Sequence, residues 1–199
     1  GALLGLTLEH KRADVLRGVT PALLRRRVTG RTITHAWRRA KSVVLSLDDD
    51  AHLAVTPRFT GALLIADAPV SDAYSCLRFT LADGRELRYS DVRRLGTVTV
   101  LDGVAFAVWN STLGPEPLAA DFTLERFSQS LRGSRRAVKA VLMDQKRLAG
   151  VGNIYANEAL WRAGIRPSRR VSSLTVAQRT ALHRELIVTL TESVLARGT

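Results

Sequence analysis

The chain is 199 residues long and 46% hydrophobic, and its 30 Lys and Arg outnumber 18 Asp and Glu to give a formal net charge of +12. That length suits one large or two small domains with their own cores; no apolar run approaches the roughly 18–20 residues that span a bilayer, and the opening residues do not read as a signal peptide. A single cysteine, Cys76, excludes an internal disulfide and a cysteine-based zinc finger, while the basic excess makes a polyanion the expected partner, nucleic acid before membrane.

Residues 3–10 alternate well enough to read as a strand, and Pro21 opens a short helical turn over 21–28. Strand formers recur at 31–37, 42–47, 52–55 and 60–65, with the aspartates 48–50 as a turn. Asp83-Gly84 is the strongest short hairpin signal and separates strands over 77–81 and 86–89. A further strand spans 97–101. Short strands at regular spacing predict a sandwich or barrel-like β domain.

Leu113-Gly-Pro-Glu-Pro-Leu118 breaks the pattern, and beyond it the apolar period changes from two to about three and a half. Helices are expected over 123–131, 134–143, 154–163 and 175–197. The last opens on the capping-box pair Thr175 and Gln178 and stops at Gly198. The expected fold class is α+β. Residues 1–112 form an N-terminal antiparallel β-sandwich, 113–122 a linker and 123–199 a helical domain, with a basic cleft between the domains.

In the helical half, Gly150-Val-Gly-Asn153 is a tight turn that runs into a helix, which Gly164 ends before Pro167. Asn153 is expected at the N-cap, with the first-turn amides facing outward and the positive end of the dipole behind them. Glycines let a bulky anion approach the backbone, and Lys139, Lys146, Arg147, Arg162, Arg166, Arg169 and Arg170 flank the turn with positive charge. The turn reads as a phosphate seat. The competing reading is a helix corner whose glycines serve close packing.

Two further groups carry chemistry. Lys41 follows Arg38-Arg-Ala and precedes an apolar strand, so a cation stands at a sheet edge for phosphate contact, for proton transfer or simply in solvent. Arg93 and Arg94 lie in a turn after a strand, and a guanidinium matches base edges and phosphates bidentately. His10, His35, His52 and His183 show no metal-ligand spacing and read as surface or packing residues.

The run Met143-Asp-Gln-Lys-x-x-Ala-Gly-Val-Gly-Asn-Ile-Tyr-Ala-Asn-Glu-Ala-Leu resembles the helix-two-turns-helix (H2TH) element of the formamidopyrimidine-DNA glycosylase/endonuclease VIII family of base-excision repair enzymes. The resemblance extends over residues 3–197 and is tightest over 134–167. It implies a monomer that binds double-stranded DNA carrying a damaged base or an abasic site, in the cytoplasm at the nucleoid and away from membrane. Arg38-Arg-Ala-Lys-Ser-Val-Val-Leu is similar to the family's Arg-Arg-Ala-Lys segment, which implies that Lys41 is the proton donor for β-elimination. Tyr89-Ser-Asp-Val-Arg-Arg-Leu-Gly96 resembles the family's Asp-Pro-Arg-Arg-Phe-Gly loop. By that match Arg93 faces the base left unpaired on flipping, and Leu95 replaces the phenylalanine wedge. Phe59 falls at a void-filling position that is usually methionine, with a core phenylalanine as the competing reading. The resemblance also implies DNA contacts from Arg135, Arg136, Lys139, Asn153 and Tyr155. A family histidine that contacts DNA falls near Tyr74. Glu158 is expected to complement the helix dipole or organise the corner.

Excision through a Schiff base needs an amine nucleophile and an acid. In the family these are an N-terminal proline and the glutamate beside it, whereas this chain opens Gly1-Ala-Leu-Leu, similar to the strand that follows. Its one Pro-Glu pair, Pro115-Glu116, is internal and has no free amine. The family's C-terminal zinc finger is not expected either, so no cofactor is anticipated. The leading reading is a DNA glycosylase and AP lyase, with removal of oxidised bases conditional on a parent protein that carries the N-terminal nucleophile. The alternatives are a catalytically inactive DNA-binding paralogue and an RNA-binding module that sets the glycine turn on RNA phosphates.

Overall fold

Alternating side chains and tight turns commit the first half of the chain to antiparallel pairing. The computed structural model describes residues 2–8, 13–67, 73–196 and 198, and the chain divides between Trp109 and Asn110 into two units. His10, Gly1 and Arg197, which figure in the sequence reading, lie outside the described residues.

The first unit runs β1 (Leu3–Leu8), a 3-10 turn (Ala13–Val15), α1 (Pro21–Val28), β2 (Ile33–Arg39), β3 (Ser42–Leu47), β4 (His52–Thr56), β5 (Gly61–Ala66), β6 (Ser75–Leu81), β7 (Glu86–Asp91), β8 (Thr97–Leu101) and α2 (Gly103–Ser111). Two four-stranded antiparallel sheets result, ordered β1-β6-β7-β5 and β2-β3-β4-β8, which is the expected sandwich. Leu3, Leu45, Leu53, Leu77, Phe79 and Tyr89 fill one core cluster. The Asp83-Gly84 turn joins β6 to β7 with Gly84 at φ +83°, a conformation that glycine adopts without steric cost. α1 starts where Thr20 Oγ1 accepts a bond from the Leu23 amide (3.2 Å), and it turns Leu24 and Val28 inward.

α2 corrects the all-β expectation for this unit. Its residues Gly-Val-Ala-Phe-Ala-Val-Trp are apolar around the whole helix and none is buried, so no 3.6-residue stripe betrays it. The Phe106 ring holds its place, with centroids 4.0 Å from His52, 5.3 Å from Trp109 and 5.7 Å from Trp37. His52 is thus a packing residue, whose Nδ1 lies 3.1 Å from Ser46 Oγ. His35 is exposed.

The second unit contains α3 (Leu124–Leu131), α4 (Val138–Leu142), α5 (Asn153–Arg162), a 3-10 turn (Val171–Ser173) and α6 (Val176–Leu195). Thr123 caps α3, and the capping box of Thr175 and Gln178 opens α6 as its spacing predicts. α4 is shorter than the helix expected over 134–143. The Val138 amide bonds Arg169 O (2.8 Å) and the Val171 amide bonds Arg136 O (3.1 Å), so these backbones are spent on a strand-like pairing. Phe127, Leu131, Leu142, Leu148, Leu160 and Leu182 are buried in one cluster, with His183 packed on the Phe122 and Phe127 rings. The stretch 113–118 lies on the turn that follows α4: the Gly114 amide bonds Gln145 O (2.8 Å) and the Ala149 amide bonds Pro115 O (3.0 Å).

Candidate nucleic-acid interface

In the first unit, Arg39 pairs with Ser42 and leaves Ala40 and Lys41 as the tip of the β2–β3 hairpin. Ala40 is held at φ +54°, where its Cβ is strained, and its carbonyl accepts Arg38 Nη1 at 2.7 Å. Partial burial, followed by the charge of Arg58, lowers the pKa of the Lys41 ammonium below the ordinary lysine value. A lowered pKa makes it a stronger proton donor. Ala40→Gly is expected to raise stability by about 0.5–1 kcal/mol, read as a higher denaturant midpoint; a lower midpoint would mean that Ala40 is not strained.

Phe59 is 80% exposed, which excludes the core reading of that ring. The Arg93 guanidinium lies over it, 5.5 Å from the centroid, so two of the residues assigned to the flipped-base void meet in the structure. Leu95, the third, is 39% exposed. The loop that carries Arg93 and Leu95 is anchored by Asp91, which the sequence reading passed over. Asp91 is 1% exposed, and its carboxylate accepts Thr60 Oγ1 (2.6 Å), Tyr89 Oη (3.0 Å), the Arg93 amide (3.2 Å) and the Gly96 amide (2.8 Å). Burial pushes its pKa up, but these bonds outweigh burial and leave it below the usual carboxylate value. The Tyr89 hydroxyl occupies the space beside Gly96, 1.8 Å from where a Cβ would sit. An acid at the head of a turn was the available signal. Tyr74 is half-exposed, and its carbonyl accepts the Asp91 amide at 3.0 Å.

In the second unit, a shallow groove of about 820 Å³ gathers Arg136, Lys139 and Asn153, with Met143, Asp144 and Ser168. Gly152, not Asn153, is the N-cap of α5, and no side chain caps that helix. Gly152 is extended, so Asn153 takes the first helical position and its side chain is exposed. The first α5 amide with a backbone acceptor is Ala156, bonded to Gly152 O at 2.9 Å. The amides of Asn153, Ile154 and Tyr155 have no acceptor among the described residues, the condition that suits an anion.

The flanking charges divide. Arg136 donates to Asp144 (2.8 Å) and thereby lowers that carboxyl's pKa. Arg147 turns onto the carbonyls of Ser130 and Arg132 at 2.9 and 3.0 Å, and Arg162 pairs with Glu158 and Glu192 at 3.1 and 2.7 Å. Glu158 therefore acts toward the last turn of α5. Tyr155 is half-buried with its hydroxyl bonded to Ser193 of α6, and Arg135 faces a different depression. The buried side of α5 is Ala156, Ala159 and Leu160; Ile154 and Trp161, at 57% and 77% exposure, point out.

Gln145 is the positioning residue that the motif contains but the sequence reading left without a role. Its Nε2 donates to Met143 O (2.9 Å) and Val151 O (3.0 Å), while its Oε1 accepts the Gly150 amide (2.8 Å), so one side chain ties both sides of the glycine turn. Among the described residues, no group of three or more His, Cys, Asp or Glu is placed to hold a metal ion, and no helix is long and apolar enough to cross a membrane.

Residues 3–98 match the family model of the formamidopyrimidine-DNA glycosylase N-terminal domain, and residues 113–199 match that of the formamidopyrimidine-DNA glycosylase H2TH domain. The chain is 41% identical over 172 residues to the formamidopyrimidine-DNA glycosylase of Chloroflexus aggregans, covering 86% of this chain and 62% of that protein. It is 35% identical over 208 residues to that of Heliobacterium modesticaldum, covering 100% of this chain and 75% of the relative. Against relatives such as those of Chloroflexus aggregans and Herpetosiphon aurantiacus, the chain spans 62–66% of their length. Among solved structures it is similar to Lactococcus lactis formamidopyrimidine-DNA glycosylase non-covalently bound to DNA containing an AP site, with a TM-score of 0.88 and 30% identity over 100% of this chain and 76% of that one. The same enzyme in complex with FAPY-dG-containing DNA matches with a TM-score of 0.87 and 29% identity, over 100% of this chain and 74% of that one. With both units matched and relatives of this identity and coverage, the chain belongs to the formamidopyrimidine-DNA glycosylase/endonuclease VIII family.

Proposed function

We propose that this chain is the DNA-gripping body of a monomeric base-excision DNA glycosylase and AP lyase, acting in the cytoplasm on duplex DNA with oxidised bases or abasic sites. The observation that carries the reading is the groove lined by Lys139, Arg136 and Asn153 at the start of α5, a helix whose first three amides have no acceptor among the described residues. Phosphate oxygens satisfy those amides, and Lys139 adds charge to the same seat. Lys41, its pKa lowered, donates the proton in β-elimination. Arg93 over Phe59, with Leu95 beside them in the chain, fills the space of the flipped nucleotide. Arg135 and Tyr155 serve the same duplex less directly, Tyr155 through the hold of its hydroxyl on α6. The proposed chemistry asks for an amine and an acid, and for no cofactor.

Asn153→Ala is expected to weaken duplex binding about five- to tenfold, equally for every sequence, because the contact is to phosphate. Unchanged affinity would remove the phosphate seat. Borohydride trapping on a duplex with an abasic site tests the chemistry. An adduct that Lys41→Ala diminishes supports the catalytic role, whereas binding without an adduct leaves a family member that grips DNA without excising. Tighter binding to RNA than to the abasic duplex would overturn the repair reading altogether.

A further inference from the structure

Arg135 and Arg136 are neighbours in the chain and face different concavities. The stretch that carries them is strand-like, Ala137 bridging to Arg170, and successive side chains on such a backbone point to opposite sides. Arg136 lines the groove with Lys139 and Asn153. Arg135 lines a separate depression of about 640 Å³, together with Arg132 and Arg179. The two concavities share no residue.

Three arginines therefore border one hollow, and Ser128, Ser134 and Ser172 line it as well, with the Ser134 hydroxyl accepting the Arg136 amide at 3.3 Å. Gly133, at φ +75°, turns the chain between Arg132 and Arg135. The one acid in the lining is Glu125, which accepts a bond from Gln129 (3.4 Å) and, among the described residues, pairs with none of the three arginines. Other arginines of this unit do have carboxylate partners: Arg126 with Asp121, Arg136 with Asp144, and Arg162 with Glu158 and Glu192. Arg179 donates through one Nη to Leu174 O at 3.2 Å, while its buried Nε has no hydrogen-bond partner among the described residues. A buried donor without an acceptor is rare in folded proteins and marks a place where an acceptor is missing. Cations crowded around one hollow repel each other until an anion enters.

We propose that this depression is a second phosphate-binding site, separate from the α5 groove. Its planar donor forks and hydroxyls fit phosphate oxygens, and its open shape suits a backbone phosphate or a free phosphate anion better than an enclosed small molecule. The site does not depend on the repair reading. It belongs to the helical unit alone.

The test is the thermal unfolding midpoint of the full chain against sodium pyrophosphate at constant ionic strength, for wild type, Arg132→Gln and Arg179→Gln. Among the described residues the Arg132 side chain makes no hydrogen bond or ion pair, so Arg132→Gln is expected to keep the fold, whereas Arg179→Gln removes the bond to Leu174 O. Pyrophosphate is expected to raise the wild-type midpoint, with the apparent Kd at least fivefold weaker in Arg132→Gln. An equal response in wild type and Arg132→Gln overturns the proposal. A parallel measurement of duplex affinity against salt identifies the source of the phosphate. A slope smaller by about 0.9 in Arg132→Gln assigns the site to DNA backbone, and an unchanged slope with a lost pyrophosphate response assigns it to a free anion. Asn153→Ala keeps the pyrophosphate response of this depression, so failure here and failure of the α5 phosphate seat are distinct results.

Discussion

Asp91→Ala is expected to destabilise the first unit by about 3–5 kcal/mol, because it strands a set of buried donors around one removed carboxylate. Four donors converge on that group: the Tyr89 and Thr60 hydroxyls and the Arg93 and Gly96 amides. Burial followed by the bond to Asp91 pushes the Tyr89 phenol far above its usual range, so it stays neutral and cannot replace the lost charge. The pH dependence follows from the lowered pKa of Asp91. The carboxylate's contribution is complete above its unfolded value of about 4 and is lost as pH falls through the lower folded value. Wild type and Asp91→Ala should therefore converge in stability as pH drops below about 4. Trp37 and Trp109 report this unit in a Trp161→Phe background, where the replaced ring is 77% exposed. A gap in urea midpoint that stays constant down to pH 2 would rule out the ionised carboxylate as its cause. The same change frees the loop that sets Arg93 over Phe59, so abasic-duplex affinity should fall along with stability.

Gly114→Ala is expected to cost the second unit about 3 kcal/mol or more, at the upper end for an added methyl. A Cβ at Gly114 would lie 2.4 Å from Arg147 C, 2.5 Å from Arg147 O and 2.8 Å from Leu148 N, all of them backbone atoms. No rotamer change relieves such a clash. The strand of chain at 113–115 must lift, which breaks the Gly114–Gln145 and Ala149–Pro115 bonds. Gly164→Ala is the contrast, since a Cβ there meets nothing within 4 Å and the cost is only that of φ +63°, about 1 kcal/mol. Circular dichroism at 222 nm during urea unfolding separates the two, and equal losses would mean that 113–115 moves freely. Because Gln145 also ties the glycine turn, Gly114→Ala should weaken duplex binding as well.

The strands were readable because each is short and rich in strand-forming residues and is set off by turn residues, Asp83-Gly84 above all. Thr175 and Gln178 announced α6 for the same local reason. What stayed hidden depends on partners distant in sequence. Residues 134–137 look helical until residues 169–171 claim their backbone, and α2 has no polar face to set its phase. The α5 cap was assigned one residue late because Asn is a good capping residue, yet the extended Gly152 already supplies the turn. For Phe59 the resemblance and the residue type point different ways, and its 80% exposure with the guanidinium above it removes the core alternative. Lys41, Lys139 and Asn153 are assigned by motif, whereas the roles of Asp91 and Gln145 emerge when their hydrogen bonds are traced.

The edge pairing of β1 sets the order in which the sandwich can assemble. Leu3 is registered with Leu81 and Leu8 with Leu77, whereas β2, β3 and β4 close as consecutive hairpins. On a ribosome that releases the chain from its N-terminus, β1 emerges long before its partner and waits, while the local hairpins form in microseconds. The long loop that joins β1 to β6 makes this contact the slow one. Nascent chains arrested before β6 should therefore hold a first strand tied to residues 30–32 at its start but unpaired over residues 5–8, open to chaperones and to other nascent copies, and permuting the chain to place β1 after β6 should speed folding without altering the sheet.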